Sequence, residues 1–83
     1  MLKGLPNLGA KTLQRLEELG IHDRETLEQV GPAGVYRALC AKAGVRLPVC
    51  YHLYAFEGAL RGVDWRTLTQ EDKQRLRAEA GVD

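Results

Sequence analysis

The sequence predicts an all-α fold, a compact five-helix domain. Three observations carry that expectation. Glycine and proline recur as helix stops and starts, apolar residues fall three and four apart between them, and no run alternates β-branched with polar residues. A chain of 83 residues has room for one core and not for two.

The first punctuation is the turn Leu5-Pro6-Asn7-Leu8-Gly9. Pro6 pre-sets a negative φ, Asn7 tolerates the left-handed region, and Gly9 lets the backbone enter a helix without a Cβ clash. Leu5 and Leu8 bracket the turn and are expected to face the core. A first helix follows from Ala10 to Leu19 with Leu13 and Leu16 inward. Gly20 stops it at a left-handed cap, and Ile21 folds back on Leu16. Asp23 is the N-cap of a second helix, Arg24 to Val30, with Leu27 and Val30 inward. Gly31-Pro32 reads as cap plus first helical residue of a third helix ending at Ala43. Val35, Leu39 and Ala43 share one face there, with Tyr36 and Cys40 beside it.

Leu47-Pro48 repeats the device and is expected to start a fourth helix at Pro48, running to Arg61. Its stripe of Val49, Leu53, Phe56 and Leu60, widened by Tyr54 and Ala59, is the longest apolar face, so this helix is expected to be the central strut. Gly58 within it costs about 1 kcal/mol relative to Ala, which implies that another helix crosses closely there. Trp65 and Leu68 pin the following connector. Thr69 caps a last helix, Gln70 to Ala80, with Asp72 near the capping-box position and Leu76 as inward anchor.

Composition narrows function. Formal net charge is +1, so the total does not call for a polyanionic partner. Its distribution is uneven: −1 over residues 1–31, +3 over 32–62 and −1 over 63–83. Two cysteines, Cys40 and Cys50, make no disulfide framework, and there is no signal peptide or long apolar run, so a cytoplasmic location with reduced thiols and no membrane partner is expected. Cys40, Cys50, His22 and His52 lack the spacing of a zinc site, and no cofactor motif is present. The chain has no serine and no grouping of nucleophile, base and acid, so it reads as non-enzymatic. Glu57, flanked by Phe56 and Gly58, is expected to pair with Arg61 four residues on.

The opening turn is the stretch that points to chemistry. The N–H groups near Asn7, Leu8 and Gly9 stand at a helix N-terminus, Lys11 adds charge, Thr12 adds a hydroxyl, and Lys3 is close in sequence. That set suits a phosphate of the double-stranded DNA backbone, held without sequence readout. The same turn also serves as a plain joint between a short arm and a helix. Arg37, Lys42, Arg46 and Arg61 account for the basic middle, as a second phosphate-facing patch or as a solvated face. Tyr36, Tyr51, Tyr54 and Trp65 are too many for the core alone, and an apolar rim of Tyr51, Tyr54 and Trp65 would instead suit a protein–protein adaptor that never meets DNA.

Several separated blocks then combine. Leu5-Pro6-Asn7-Leu8-Gly9, Leu19-Gly20-Ile21-His22, Glu25-Thr26-Leu27, Val30-Gly31 and the helix bearing Val35-Tyr36-Arg37 precede the run from Leu53 to Trp65. Together they resemble the C-terminal domain of the bacterial competence regulator family TfoX (Sxy), over nearly the whole chain from Leu5 to Leu76. The opening block alone also resembles a helix-hairpin-helix element, with Asn7 where its first hairpin glycine usually stands. The resemblance implies a module assisting transcription or DNA handling in competence, with a transcription-related protein as a further partner. TfoX proteins usually carry an N-terminal domain ahead of this one, and the chain is read as the C-terminal unit alone.

Overall fold

The structure is a computed structural model that describes residues 2–82, with Lys3 described by its backbone only. Among these residues there are five α-helices and no strand: α1 (Ala10–Glu18), α2 (Arg24–Val30), α3 (Pro32–Ala43), α4 (Leu53–Arg61) and α5 (Gln70–Ala80). Two 3-10 turns, Leu2–Gly4 and Trp65–Thr67, complete the order.

Local sequence accounts for most helix ends. At the end of α1, Gly20 adopts φ 80°, its amide donates to the Glu17 carbonyl at 2.9 Å, and the Ile21 amide donates to the Leu16 carbonyl at 2.9 Å. That pair of bonds is a Schellman closure, and it buries Ile21 with Leu16. Asp23 accepts from the Thr26 amide at 2.8 Å, and this bond holds its carboxyl below the ordinary carboxylate range. Gly31 at φ 85° precedes Pro32 at the first turn of α3. Thr69 and Asp72 form a reciprocal capping box at the start of α5.

The fourth helix departs from expectation. It starts at Leu53, not at Pro48, and residues 49–52 form a turn. The Tyr54 amide closes on the Val49 carbonyl, five residues back, at 2.9 Å, one residue more than an α-helical step. His52 stands at φ −126°, ψ −76°, outside helical geometry. Its ring is buried, with Nδ1 2.8 Å from the Pro48 carbonyl and Nε2 3.1 Å from an Arg15 guanidinium nitrogen. Arginine only donates and a carbonyl only accepts, so the partners assign the proton to Nδ1 and the lone pair to Nε2. The turn thus carries a polar ring to α1 where a continuous helix was expected to present Val49.

Helix α4 is nevertheless the centre, packed against α2, α3, α5 and the Trp65–Thr67 turn. Tyr36, Phe56, Leu16, Leu27, Leu53, Leu76 and Val35 are fully buried, and the Tyr36 hydroxyl donates to the Leu47 carbonyl at 2.6 Å. Leu2 and Leu47, not singled out in the sequence, are also core residues. Two side chains lie elsewhere than expected. Val30 is 48% exposed, because α2 turns Leu27 inward and leaves Val30 lying over Gly34 of α3. Ala43 is exposed in the last turn of α3. Tyr54 is buried with the apolar face of the fourth helix, as expected there, and so stands outside the aromatic rim. On the outer side of α4, Glu57 bonds Arg61 and Arg75, while Asp72 bonds Arg61, so ion pairs staple α4 to α5.

Gly58 has a reason different from a helix crossing. A Cβ there would lie 2.5 Å from Asn7 Nδ2, 2.7 Å from the Val63 carbonyl oxygen and 3.2 Å from Trp65 Cα. What crosses α4 closely is the tip of the opening turn and the 63–65 connector.

Candidate nucleic-acid interface

The hairpin is built from its buried side outward. Leu2 enters the core, the Leu5 amide donates to the Leu2 carbonyl at 3.0 Å, and Leu5 and Leu8 pack against the core as expected. Asn7 takes φ 71°, among the described residues the sole non-glycine with positive φ. A short amide side chain tolerates that region because it can bond locally or to nearby backbone. Here Nδ2 donates to the Val63 carbonyl at 2.8 Å and to the Ala55 carbonyl at 3.4 Å, and Oδ1 accepts the Trp65 amide at 3.3 Å. The Asn7 side chain is therefore a clamp that points into the fold. Its polar atoms are engaged by backbone groups of residues 55, 63 and 65, so what the residue offers a ligand at the hairpin is its backbone.

Gly9 also differs from its expected role. Its φ of −78° and ψ of 172° are ordinary extended backbone, and a Cβ there would meet nothing within 4 Å. Conformation does not demand glycine at this position. Its consequence is that α1 begins with no side-chain cap and no acidic residue in its first turn. The first amides of a helix have no partner within it, so they point outward with a partial positive charge. Lys11 is exposed beside them and makes no ion pair among the described residues; Thr12 is half-buried. The side chain of Lys3 lies outside the described residues.

A family model described as the TfoX C-terminal domain matches residues 1–80. The chain belongs to the TfoX C-terminal domain family. No curated protein and no solved structure matches it.

In this TfoX C-terminal domain the four residues of the basic middle have different surroundings. Lys42 faces Glu18 of α1 at 3.4 Å, and Arg61 is tied to Glu57 at 2.7 Å and Asp72 at 3.1 Å. Arg37 and Arg46 flank a mostly apolar hollow of about 460 Å³ floored by Tyr36, Cys40 and Ala80. The carboxylates beside Arg61 raise its pKa further, Asp72 most of all. Among the described residues no group of three or more His, Cys, Asp or Glu is placed to hold a metal ion, and no helix is long and apolar enough to cross a membrane.

Sequence reasoning passed over the neighbourhood of the hairpin. Asn7 shares a niche of about 360 Å³ with Tyr51, Ala55, Asp64, Trp65 and Arg66. Asp64 caps the Trp65–Thr67 turn through the Arg66 amide and chelates the Arg66 guanidinium, Nε at 3.0 Å and Nη2 at 2.8 Å. Those bonds bring its carboxyl down to about 2. The signal was present as Asp64-x-Arg66 after a glycine-stopped helix, but nothing local says that this connector returns to the first turn of the chain.

Proposed function

We propose that this TfoX C-terminal domain is a non-enzymatic module that assists transcription or DNA handling in competence by touching the duplex backbone through its hairpin, weakly and without reading base sequence. One observation carries this: the Asn7 clamp turns every polar atom of its side chain inward, so the outer hairpin is backbone, an uncapped helix start and Lys11. Backbone amides and a lysine are phosphate ligands, and phosphate contacts position a protein on a duplex without specifying a base. The same absence of a cap leaves the amides available to an anion in place of an internal carboxylate.

A protein–protein adaptor requires the aromatic rim of Tyr51, Tyr54 and Trp65 on the surface. Tyr54 is buried at 4% exposure, leaving Tyr51 and the partly buried Trp65 on the surface. That rim is too small by itself to anchor an interface of ordinary size.

The test is an amide ¹H–¹⁵N titration with a short duplex at low salt. Shifts are expected at residues 7–12, fading as salt rises from ~50 to ~200 mM as counterion release requires. Lys11→Glu is expected to lower the affinity ~10-fold by replacing attraction with repulsion at one phosphate. A spectrum unmoved by the duplex at low salt removes DNA contact from this domain.

A further inference from the structure

Tyr51 is the most exposed large apolar side chain of the described residues, at 66% of its surface. It sits in the turn before α4, and its ring meets that of Trp65 edge-on, with centroids 6.3 Å apart and planes at 77°. The two rings make an open corner, one offering a face where the other offers an edge. Trp65 is held rigidly: its amide is bonded to Asn7, its ring lies 6.1 Å from Tyr54 at 32°, and Lys73 Nζ stands 5.7 Å from both of those rings. Ala55 and Asn7 line the niche with the two rings, and Arg66, whose side chain is 74% exposed, stands at its rim. Asp64 engages Nε and Nη2 of that guanidinium, which offsets the carboxylate charge and leaves Nη1 for another acceptor.

We infer that this corner is a stacking site for an unpaired nucleotide. The inference rests on the hairpin reading and deepens it: the domain grips a duplex by its backbone and takes an unstacked base from its end or from a single-stranded junction. A base is flat and rigid, and it fills a right-angled aromatic corner by stacking on one ring while turning its own edge to the face of the other. Arg66 Nη1 serves the adjoining phosphate. Asn7 joins the two sites, because its backbone shapes the hairpin while its side chain fixes Trp65 beside the corner. Asn7 thus belongs both to the hairpin and to the lining of the niche, and an exposed guanidinium beside the two rings suits the phosphate of a nucleotide, which favours a base over a peptide as occupant.

Trp65 is the single tryptophan of the chain and reports on the corner directly. The experiment compares Trp65 fluorescence and affinity at low salt for a short blunt duplex, the same duplex with a single-stranded thymine overhang, and oligothymidine. The overhang is expected to quench Trp65 and to bind about fivefold or more tighter than the blunt duplex, in line with stacking of one base on an aromatic side chain. Tyr51→Ala is expected to abolish that preference, and Tyr51→Phe to retain it, both with helical circular dichroism unchanged because the ring is on the surface. Equal binding of blunt and overhang duplexes overturns the stacking site and leaves the hairpin reading standing. Equal loss for both duplexes in Tyr51→Ala also overturns it, since the ring would then be part of the backbone contact. Binding of none of the three probes overturns both readings, and quenching by a proline-rich peptide alone assigns the corner to a protein partner and overturns the proposal.

Discussion

Helix α5 begins with Thr69 accepting from the Asp72 amide at 3.1 Å while Asp72 accepts from the Thr69 amide at 3.3 Å, and Glu71 adds a second negative charge to the first turn. Helix α1 begins with Gly9, which offers neither cap nor charge, and with Lys11 where α5 has acid. The two starts face the same physical problem, a set of amides with no helical partner and a positive dipole end. At α5 the chain solves it internally. At α1 it fixes the approach to the helix instead, from behind, through the three Asn7 side-chain bonds to residues 55, 63 and 65. An end held in this way is ordered without being satisfied within the helix, and the proposed phosphate contact rests on that combination.

If the order of the α1 start comes from behind, the largest loss should follow from wedging the hairpin off α4. Gly58→Ala puts a Cβ 2.5 Å from Asn7 Nδ2 and 2.7 Å from the Val63 carbonyl oxygen. The asparagine can yield, but Val63 is backbone and its own amide is bonded to the Gly58 carbonyl at 2.9 Å. A loss of about 3 kcal/mol is expected from such overpacking, read by denaturant unfolding, with amide shifts concentrated at Asn7 and Trp65. Asn7→Ala comes next. It removes the clamp and leaves a side chain that disfavours φ 71°, for about 2 kcal/mol in all. Asn7→Gly keeps the conformation and is expected to recover part of that loss.

The closed start of α5 carries a pH signature that α1 lacks. Asp72 is held down to about 2 from an ordinary 3.8, by its bonds to Arg61 first and then to Thr69. A carboxyl lowered in the folded state stabilises that state at pH above its unfolded value, and the contribution is lost as pH falls through about 4 toward 2. Asp72→Asn is expected to lower stability at neutral pH and to flatten its decline over that window, measured by urea midpoints at successive pH values. The Asp64–Arg66 pair, with Asp64 also at about 2, leaves a residual slope in the same range. An unchanged pH profile would mean that the α4–α5 staple does not bias folding.

The helices were legible because their signals are local. Gly20, Gly31, Gly44, Gly62 and Gly81 all take positive φ where the sequence placed stops or caps, and Asp23 and Thr69 cap as their types suggest. The Glu57–Arg61 pair follows from four-residue spacing alone. What failed was non-local. Pro48 has the composition of a helix start, but the bond from buried His52 to Arg15, 37 residues away, favours a turn there. Gly58 correctly signalled a close approach and wrongly suggested a helix crossing, because the approaching groups are the Asn7 side chain, 51 positions earlier in the chain, and the backbone of residues 63 and 65. The hairpin could be named from Pro6, Asn7 and Gly9, whereas the inward direction of Asn7 and the nearness of Tyr51 depend on where the connector of residues 63–65 lies. Arg37, Lys42, Arg46 and Arg61 form one group by count, whereas their surroundings differ in the fold: Arg37 and Arg46 flank one hollow, Lys42 faces Glu18 of α1, and Arg61 is paired with Glu57 and Asp72.

The smallest expected change in stability is the sharpest probe of the contrast between the two starts. Gly9 already has the extended backbone of an N-cap, at φ −78° and ψ 172°, close to Thr69 at −74° and 164°. Nothing lies within 4 Å of a Cβ there. Gly9→Asp therefore gives α1 the kind of carboxylate cap that α2 has, with a gain of a few tenths of a kcal/mol over glycine, about 0.3 kcal/mol. The carboxylate also occupies the amides and repels phosphate, so duplex affinity is expected to fall ~10-fold while the unfolding midpoint stays level or rises. Gly9→Ala adds a Cβ without an acceptor or a charge and is expected to leave binding intact. Opposite movement of stability and affinity in the aspartate variant assigns the phosphate to the start of α1. If Gly9→Asp binds duplex as the parent does, the open start is only a joint, and Lys11 has to be placed in some other contact.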